Sequence, residues 1–504
     1  MIEQLEQNKY RPRIDIRLVS GILGGLIFFL GAAMILPAII ALAYGESSWP
    51  AFMITAAGAM MLGGLFFWAF RPREELRMRE AFLIVALAWL IGSMVGAFPF
   101  VISGTLESYT DAVFEAMSGL TTTGATILGG FTSDGIQNPA IEDLDKSLLF
   151  WRSLLHWLGG MGIIVLTLAL LPLLGIGGME LFQAEYSGSK SDKLTPRIQE
   201  TAFLLWSVYM GMTAVQFLLL WIHPAMDWFE AINHAFSTLA TGGFSTQNAS
   251  VAAFDSVYID VIITVFMFLA GINFAMHFRL FTGDLKSFIN NREIRFYTII
   301  TLLFVIGVSG GLWLIENQSF GDSLRYGSFQ VVSIVTTTGF ATADYKLWMP
   351  FTSFLLFILF FTGACAGSTS GGIKMIRLMI IFKNIGREFK QIIHPQAVLP
   401  VRVGQRVIET SILKAILSFF MVYLLIFAIG ALIMSLLGYD FMSAMGASIA
   451  SLGNIGPGWG NFGPADNYAE IPYIGKWVLL ILMMIGRLEL FTVLIIFTPW
   501  FWKN

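Results

Sequence analysis

The chain has 504 residues, of which 56% are hydrophobic and 12% are charged, and its formal net charge is −3. Soluble domains carry about a quarter charged residues, so this composition excludes an ordinary soluble protein. The absence of a basic excess argues against a nucleic-acid partner. The single cysteine, Cys365, rules out an intrachain disulfide and a cysteine-based metal cluster.

Two apolar runs open the chain, at 18–44 and 51–70, and a charged run at 71–80 follows them. Each run is long enough to cross a bilayer, which takes about 20 apolar residues. We therefore predict that residues 1–80 form a unit of two N-terminal transmembrane helices, with a lipid bilayer as their surroundings.

A unit then recurs four times: a span, a short apolar segment, a glycine-centred loop and a second span. We predict pore repeats at 81–180, 198–285, 293–390 and 405–504. The four repeats contribute two spans each, so the prediction is ten membrane spans together with the two N-terminal ones. The predicted fold is an all-α polytopic membrane protein, with four pseudo-symmetric helix–pore loop–helix repeats around one ion pathway plus two extra N-terminal helices.

The short segment of each repeat is too short to span a bilayer and opens on an aspartate, namely Asp111, Asp227, Asp322 and Asp440. Aspartate is a good helix N-cap, and apolar stretches of this length are typical of re-entrant segments. Four such helices would direct the negative ends of their dipoles at one point, where a cation would be stabilised. The alternative is four amphipathic surface helices, which the recurrence at one place in each repeat disfavours.

The distribution of positive charge predicts the orientation. If the N-terminus is cytoplasmic, 23 of the 30 Lys and Arg residues lie on the inner side, as the positive-inside rule requires. Both termini are then cytoplasmic, and all four loops face outward. The outer segments are acidic and would raise the local cation concentration, although ordinary solvated loops and helix caps would carry the same residues.

Each loop centres on one glycine, which allows backbone conformations that turn carbonyl groups inward. Rings of carbonyl oxygens that replace the hydration shell are the basis of potassium selectivity. We predict a K⁺-binding filter, with K⁺ as the only metal, from twelve residues: Thr122, Thr123, Gly124, Ala240, Thr241, Gly242, Thr337, Thr338, Gly339, Asn454, Ile455 and Gly456. They match the first part of the TVGYG motif of potassium channels. Its second glycine is kept only at Gly458, so K⁺/Na⁺ discrimination should be looser than in a tetrameric channel.

At these loops, at GACAGSTSGGIK (363–374) and at GRLELFT (486–492), the chain resembles the TrkH branch of the TrkH/TrkG/KtrB superfamily of potassium transporters, over essentially its whole length. The resemblance implies channel-like K⁺ uptake across the bacterial inner membrane by a homodimer with one pore per subunit. It also implies gating by a cytoplasmic ring of TrkA-type nucleotide-binding subunits. The nucleotide is then expected on the partner, and no cofactor is expected in this chain.

The cluster of glycine and serine at 363–372 predicts a break in the second span of the third repeat, because glycine costs about 1 kcal/mol relative to alanine within a helix. The resemblance implies an intramembrane gating loop made of Gly363, Gly367, Ser368, Thr369, Ser370, Gly371 and Gly372. The alternative is a close crossing of unbroken helices through small residues. A nucleotide-binding loop is excluded, since the GxxxxGK[ST] pattern and a preceding strand are missing.

Arg487 lies in an apolar run, where a charge is costly and normally faces a pore or a partner. The resemblance places it in the permeation path, beneath the filter, as a cationic barrier beside the gating loop. The alternative is a structural ion pair with another repeat. Glu489 is a poor partner because residues two apart on a helix face different directions.

The five histidines share no metal-ligand spacing and are expected to be structural. We find no catalytic constellation and predict that the protein is not an enzyme. Two alternatives to channel-like uptake remain. One is H⁺- or Na⁺-coupled secondary transport, although we find no convincing midplane carboxylate for the coupling site. The other is a membrane enzyme or receptor that uses the repeats as a scaffold.

Overall fold

The computed structural model describes residues 14–70, 77–174, 195–404 and 406–502, with side chains described outside 165–174, 195–200 and 406. Two segments predicted to lie on the inner side, 1–17 and 175–199, are described only from residues 14 and 195 onward. Within the described part the chain is helical apart from loops and one small hairpin. The hairpin pairs β1 (Arg402–Val403) with β2 (Arg406–Val407) in antiparallel register.

The N-terminal unit contains α1 (Ile16–Ala33), α2 (Ile35–Tyr44) and α3 (Trp49–Ala69). Asp15 caps α1 by accepting hydrogen bonds from the two amides at 17 and 18. Gly24 and Gly63 bring α1 and α3 together: a Cβ on either would lie 2.6–2.7 Å from the other's carbonyl oxygen. Such small-residue contacts replace the hydrophobic effect as the source of helix association in lipid.

The four repeats follow in order. Repeat one contains α4 (Met78–Ile102), α5 (Tyr109–Leu120) and α6 (Lys146–Leu174), and repeat two contains α7 (Thr195–Trp221), α8 (Trp228–Leu239), α9 (Val257–Ala270) and α10 (Phe274–Phe281). After the connecting helix α11 (Leu285–Asn290), repeat three contains α12 (Arg292–Leu314), α13 (Phe320–Val335), α14 (Pro350–Leu359) and α15 (Met375–Ile393). Repeat four contains α16 (Thr410–Leu436), α17 (Phe441–Leu452), α18 (Tyr473–Arg487), α19 (Leu490–Leu494) and α20 (Pro499–Trp502).

A 3₁₀ turn lies in the segment after the short helix of each repeat: Ile141–Asp143, Ser250–Phe254, Tyr345–Leu347 and Gly460–Phe462. A fifth, Ile495–Phe497, follows α19. The predicted fold class is confirmed: two N-terminal spans, one made of α1 and α2 and the other of α3, precede four copies of one helix–loop–helix plan.

Among the described residues, six helices are long and apolar enough to cross a membrane, and the number rises to eight if each of two bent pairs counts as one span. The 29-residue α6 and the pair α14 and α15 are not among these helices, so the count of ten spans stays a prediction. The chain is a multi-pass membrane protein.

The second span, which follows the glycine-centred loop, is broken in three of the four repeats, although the sequence predicts a break only in repeat three. The axis bends by 102° between α9 and α10, and by 118° between α18 and the helical segment that ends at Phe497. Asn273 restarts the first as an N-cap that accepts from the Ala275 amide. Glu489 interrupts the second with a left-handed φ of 60°. In repeat one, α6 runs without a break from Lys146 to Leu174.

The short helices α5, α8, α13 and α17, here called the pore helices, are largely buried. Eight or nine residues of each are buried, which excludes amphipathic surface helices. Asp227 and Asp440 are N-caps, as predicted. The predicted caps at Asp111 and Asp322 are wrong: Ser108 and Ser319 cap these helices, three residues earlier. A serine followed three residues later by an acidic residue is the capping-box pattern, and it takes precedence over a later aspartate.

Candidate functional site

Each pore helix ends in the same turn. The residue after the helix C-cap has a left-handed φ of 52–56°, at Thr122, Thr241, Thr337 and Asn454. The following amide then donates to the carbonyl five residues back, at 2.8–2.9 Å, in the pairs Thr123 to Ser118, Gly242 to Ser237, Thr338 to Ser333 and Ile455 to Ala450. This is the Schellman arrangement, with threonine or asparagine in the place that glycine usually takes.

A second left-handed position follows two residues later, at Gly124, Gly243, Gly339 and Gly456, with φ of 81–94°. We define filter loops one to four as 121–124, 240–243, 336–339 and 453–456. In loop two the prediction is one residue too early: Gly243 is the equivalent of the other three glycines, and Gly242 corresponds to Thr123, Thr338 and Ile455. The predicted trio Ala240, Thr241 and Gly242 becomes Thr241, Gly242 and Gly243, and Ala240 is the helix C-cap.

The four loops close into a ring. A Cβ added to each left-handed glycine would lie no more than 2.5 Å from a carbonyl oxygen of the next loop. The clashes run from Gly124 to Gly242, from Gly243 to Thr338, from Gly339 to Ile455, and from Gly456 back to Thr123. Both the backbone conformation and the space therefore require glycine at all four positions. The oxygens of 123, 242, 338 and 455 are brought together in sequence around one centre.

Two of the loops are braced by their own hydroxyl groups. In loop one the hydroxyls of Thr121 and Thr123 are 2.8 Å apart, and in loop three those of Thr336 and Thr338 are also 2.8 Å apart. Thr121 and Thr336 also donate back to the last turn of their pore helices, at 2.7 Å. These bonds hold each of the two loops to its own pore helix.

Loops two and four lack this pair, because the equivalent residues are Ala240 and Gly242 in one and Gly453 and Ile455 in the other. Loop four is held instead by the Asn454 amide, which donates to the Thr123 hydroxyl at 3.0 Å and to the Met483 carbonyl at 2.8 Å. The Tyr468 hydroxyl adds a bond to the Gly456 carbonyl at 2.7 Å. Loop four is thus tied through Asn454 and Gly456 to residues outside the loop, namely Thr123, Met483 and Tyr468.

The segment 360–374 between α14 and α15 is not helical. The predicted break at 363–372 is therefore present, and the alternative of unbroken crossing helices is wrong. The Gly363 amide donates to the Ile373 carbonyl at 2.8 Å and closes the base of the loop. Inside it, the Ser370 hydroxyl accepts from the Ala364 amide at 3.1 Å and lies 2.9 Å from that of Ser368. Gly367 and Gly372 take left-handed conformations, with φ of 74° and 64°.

This segment touches the filter directly. The Gly371 amide donates to the Thr337 hydroxyl in filter loop three at 2.7 Å. The Thr369 hydroxyl donates to the Leu239 carbonyl, at the end of pore helix α8, at 2.9 Å. The Gly367 carbonyl accepts from Phe274, at the break in repeat two. The loop thus joins repeats two and three beside the filter loops.

Arg487 lies in the same layer and is buried. Its guanidinium donates to the Thr369 carbonyl at 2.5 Å and to the Gly159 carbonyl at 3.3 Å. Gly159 lies against the Leu120 carbonyl, at the end of pore helix α5. Glu489 pairs with Arg377 instead. Among the described residues the partners of Arg487 are carbonyl oxygens, so the predicted alternative of a structural ion pair is not supported.

The five basic residues expected on the outer side are all engaged. Four form ion pairs, namely Lys476 with Asp111, Arg152 with Glu115, Arg325 with Asp260 and Lys346 with Asp466, and the Lys146 ammonium lies 4.2 Å from the Tyr44 ring centroid. At the start of pore helix α17, a hydrogen bond from the Ser443 hydroxyl holds the pKa of the exposed Asp440 below its ordinary value.

Comparison with known proteins identifies relatives over nearly the full chain. The profile of the family TrkH, described as cation transport protein, matches residues 48–503. The chain is 42% identical to the Trk system potassium uptake protein TrkH of Salmonella typhimurium and 41% identical to that of Escherichia coli, in both cases over 97% of this chain and 99% of the relative. It is similar to the crystal structure of the potassium transporter TrkH from Vibrio parahaemolyticus, with a TM-score of 0.88, 37% identity, and coverage of 97% of this chain and 100% of the other.

Proposed function

From the premise that this chain belongs to the TrkH family of cation transport proteins, we propose that it takes up K⁺ through the ring formed by its four filter loops. Its relatives are named as transport proteins, and the chain is a transport protein rather than an enzyme. The observation that carries the proposal is the closed ring in which each left-handed glycine abuts a carbonyl of the next loop. That ring offers backbone oxygens to a dehydrated cation.

The pore helices would contribute to cation binding. Their C-terminal ends carry the negative end of the helix dipole and all lead directly into the filter. Holding threonine in a left-handed conformation costs about 1–2 kcal/mol per residue, so the turn at three of the four loops is maintained against strain. Beyond the ring, the second glycine of a potassium filter is replaced by Thr126, Ser245 and Ala341, and only Gly458 remains. This supports modest K⁺/Na⁺ discrimination.

The proposed gate is the loop 363–372 together with Arg487. Two contacts support this: Gly371 binds filter loop three, and Arg487 binds the Thr369 carbonyl. A guanidinium at the inner end of the filter would repel a passing cation. We expect movement of the loop to move the positive charge with it, because Thr369 is their shared contact.

The gate continues directly into α15, which begins at Met375 and presents exposed Phe389, Ile392 and Ile393 near its end. A partner docked on the inner face could pull the gate through this helix. We propose assembly as a homodimer on a cytoplasmic ring of TrkA-type subunits, which would bind the regulatory nucleotide. The relatives' name, Trk system, supports a multi-component assembly. The bacterial inner membrane, with both termini cytoplasmic, is the proposed location.

The filter is tested by Gly339→Ala. A methyl group at this position meets a carbonyl oxygen and forces an unfavourable left-handed conformation, so we expect loss of K⁺ uptake in cells that lack their own uptake systems. Gly310→Ala is the matched control, since a Cβ there meets nothing within 4 Å. Wild-type uptake by Gly339→Ala, at equal expression, would overturn the filter assignment.

The barrier is tested by Arg487→Ala in reconstituted vesicles. Removing a buried charge from the path should raise cation flux by roughly five- to thirtyfold, which corresponds to a barrier lower by about 1–2 kcal/mol. Lys414→Ala removes an exposed cation from another span and serves as the control. Unchanged flux in a folded Arg487→Ala protein would count against the barrier.

A further inference from the structure

Filter loop two has no side chain at the position where the other loops carry Thr123, Thr338 and Ile455. The imidazole of His156, from α6, takes up this space: a Cβ on Gly242 would lie 2.5 Å from the ring atoms Cγ and Nδ1. Gly242 is not in a left-handed conformation, so its backbone would accept a side chain. The histidine ring, rather than the backbone, requires glycine here.

The two ring nitrogens of His156 bind two different repeats. Nδ1 lies 2.9 Å from the carbonyl of Gly119, in pore helix α5, and Nε2 lies 3.2 Å from the amide of Phe244, directly after filter loop two. A carbonyl can only accept and a backbone amide can only donate. The pair of contacts therefore specifies a neutral imidazole with its proton on Nδ1. The side chain is fully buried.

A second side chain from α6 holds the same segment. The Arg152 guanidinium lies 4.0 Å from the Phe244 ring centroid and donates to the Ser245 carbonyl at 3.1 Å. Glu115 pairs with this arginine and also accepts from the Ile127 amide, after filter loop one. Loop two is thus held from outside, by the neighbouring repeat, at the place where loops one and three are held by their own hydroxyl pairs.

We propose that His156 is a positioning residue of the ion pathway: it sets the position of the Gly242 carbonyl in the ring and thereby contributes to the distinction between K⁺ and Na⁺. The inference rests on the proposed function. It predicts that changing His156 alters selectivity more than it alters folding. A purely structural histidine would affect the amount of folded protein and leave the selectivity of the folded fraction unchanged.

The first test compares His156→Asn with wild type in vesicles. The asparagine amide can keep the donor toward Gly119, and its side chain is too short to keep the acceptor for Phe244. We expect the K⁺/Na⁺ flux ratio to fall roughly three- to tenfold, as for the loss of about one hydrogen bond. His223→Asn is the matched control, because His223 contacts Ser256 in the outer loop region and not the filter. An unchanged ratio in folded His156→Asn would overturn the proposal.

The second test is a double-mutant cycle with Gly242→Thr. In the wild type, the new side chain meets the imidazole and should abolish K⁺ uptake. In the His156→Ala background, it enters the space that the ring has left and should restore at least part of the K⁺/Na⁺ ratio. A substitution that impairs transport in one background and improves the K⁺/Na⁺ flux ratio in the other shows that the two residues are directly coupled. Equal losses in both backgrounds would contradict the proposal.

If His156→Ala does not fold, Gly242→Ala in the wild type replaces the cycle, since its methyl group presses on the intact ring and should also lower the flux ratio. Thermal unfolding in detergent is measured for every variant, so a loss of fold is separated from a loss of selectivity. Wild-type protein without K⁺ flux would overturn the proposed function. K⁺ flux in the wild-type protein, together with an unchanged K⁺/Na⁺ flux ratio in folded Gly242→Ala and His156→Asn, would overturn this inference and leave the proposed function standing.

Discussion

Filter loops one and three differ from loops two and four in what holds them, although all four share one backbone conformation. Loops one and three each contain a pair of threonine hydroxyls 2.8 Å apart. Loop two depends on His156, and loop four depends on Asn454 and Tyr468. All four loops share one backbone conformation, but only loops one and three share the same kind of support.

The difference shows how a single chain can relax the symmetry of a ring. In a homotetramer every change to the filter occurs four times. Here the backbone is kept at four places, while the side chains that support it vary independently. The inner side is also unequal, because only Thr337 accepts a bond from Gly371 of the proposed gate among the described contacts of the four loops. Movement of the gate should therefore reach loop three first.

Breaking the external support of loop four should have the largest effect. Asn454→Leu keeps the number and branching of the side-chain heavy atoms and removes the amide that binds both Thr123 and Met483. It leaves a buried carbonyl without its partner and puts a poorly suited residue into a left-handed conformation. We expect a loss of about 2–4 kcal/mol in the free energy of unfolding. The measurement is thermal or denaturant unfolding in detergent.

Asn233→Leu is the control for this prediction, because Asn233 is a buried asparagine whose amide binds one carbonyl within pore helix α8. If Asn233→Leu costs as much stability as Asn454→Leu, the external brace has no special importance for loop four.

Breaking an internal brace should have a smaller effect. Thr338→Val removes one hydroxyl of the loop-three pair, while Thr336 keeps its bond to the Val332 carbonyl. One neutral hydrogen bond contributes about 1 kcal/mol, so we expect a K⁺/Na⁺ flux ratio lower by roughly fivefold. Thr55→Val, in the N-terminal unit, removes a buried hydroxyl far from the filter and should leave the ratio unchanged. Unfolding in detergent is measured for Thr338→Val as well. A larger loss in the free energy of unfolding for Thr338→Val than for Asn454→Leu would reverse the proposed order of the two kinds of support.

The sequence was sufficient for the features that depend on local pattern. Hydrophobic length and the recurrence of glycine predicted the membrane class, the four repeats and the break at 363–372. Three of the four filter trios were placed in the register that the structure shows. In loop two the adjacent Gly242 and Gly243 are the same residue type, and only their backbone conformation and hydrogen-bond pattern in the structure distinguish them. The sequence LATGG alone does not show which of its two glycines takes the left-handed conformation.

The features that were missed depend on contacts between distant parts of the chain. His156 looked like a structural histidine because its partners lie 37 and 88 residues away. The breaks at 271–273 and at Glu489 follow from packing between repeats, and the capping asparagine at 273 was the one local signal for the first. The serine caps at 108 and 319 were readable as capping boxes, and the more prominent aspartates obscured them.

The central claim is that four backbone carbonyls, one from each repeat, bind the transported ion. The most direct test is a crystal structure with Rb⁺ or Tl⁺ in place of K⁺, read by anomalous scattering. The account predicts a peak on the axis of the ring, in contact with the carbonyl oxygens of Thr123, Gly242, Thr338 and Ile455. A filter without anomalous density, in a protein that transports the same ion, would contradict the account, as would a peak bound by Thr241 in place of Gly242.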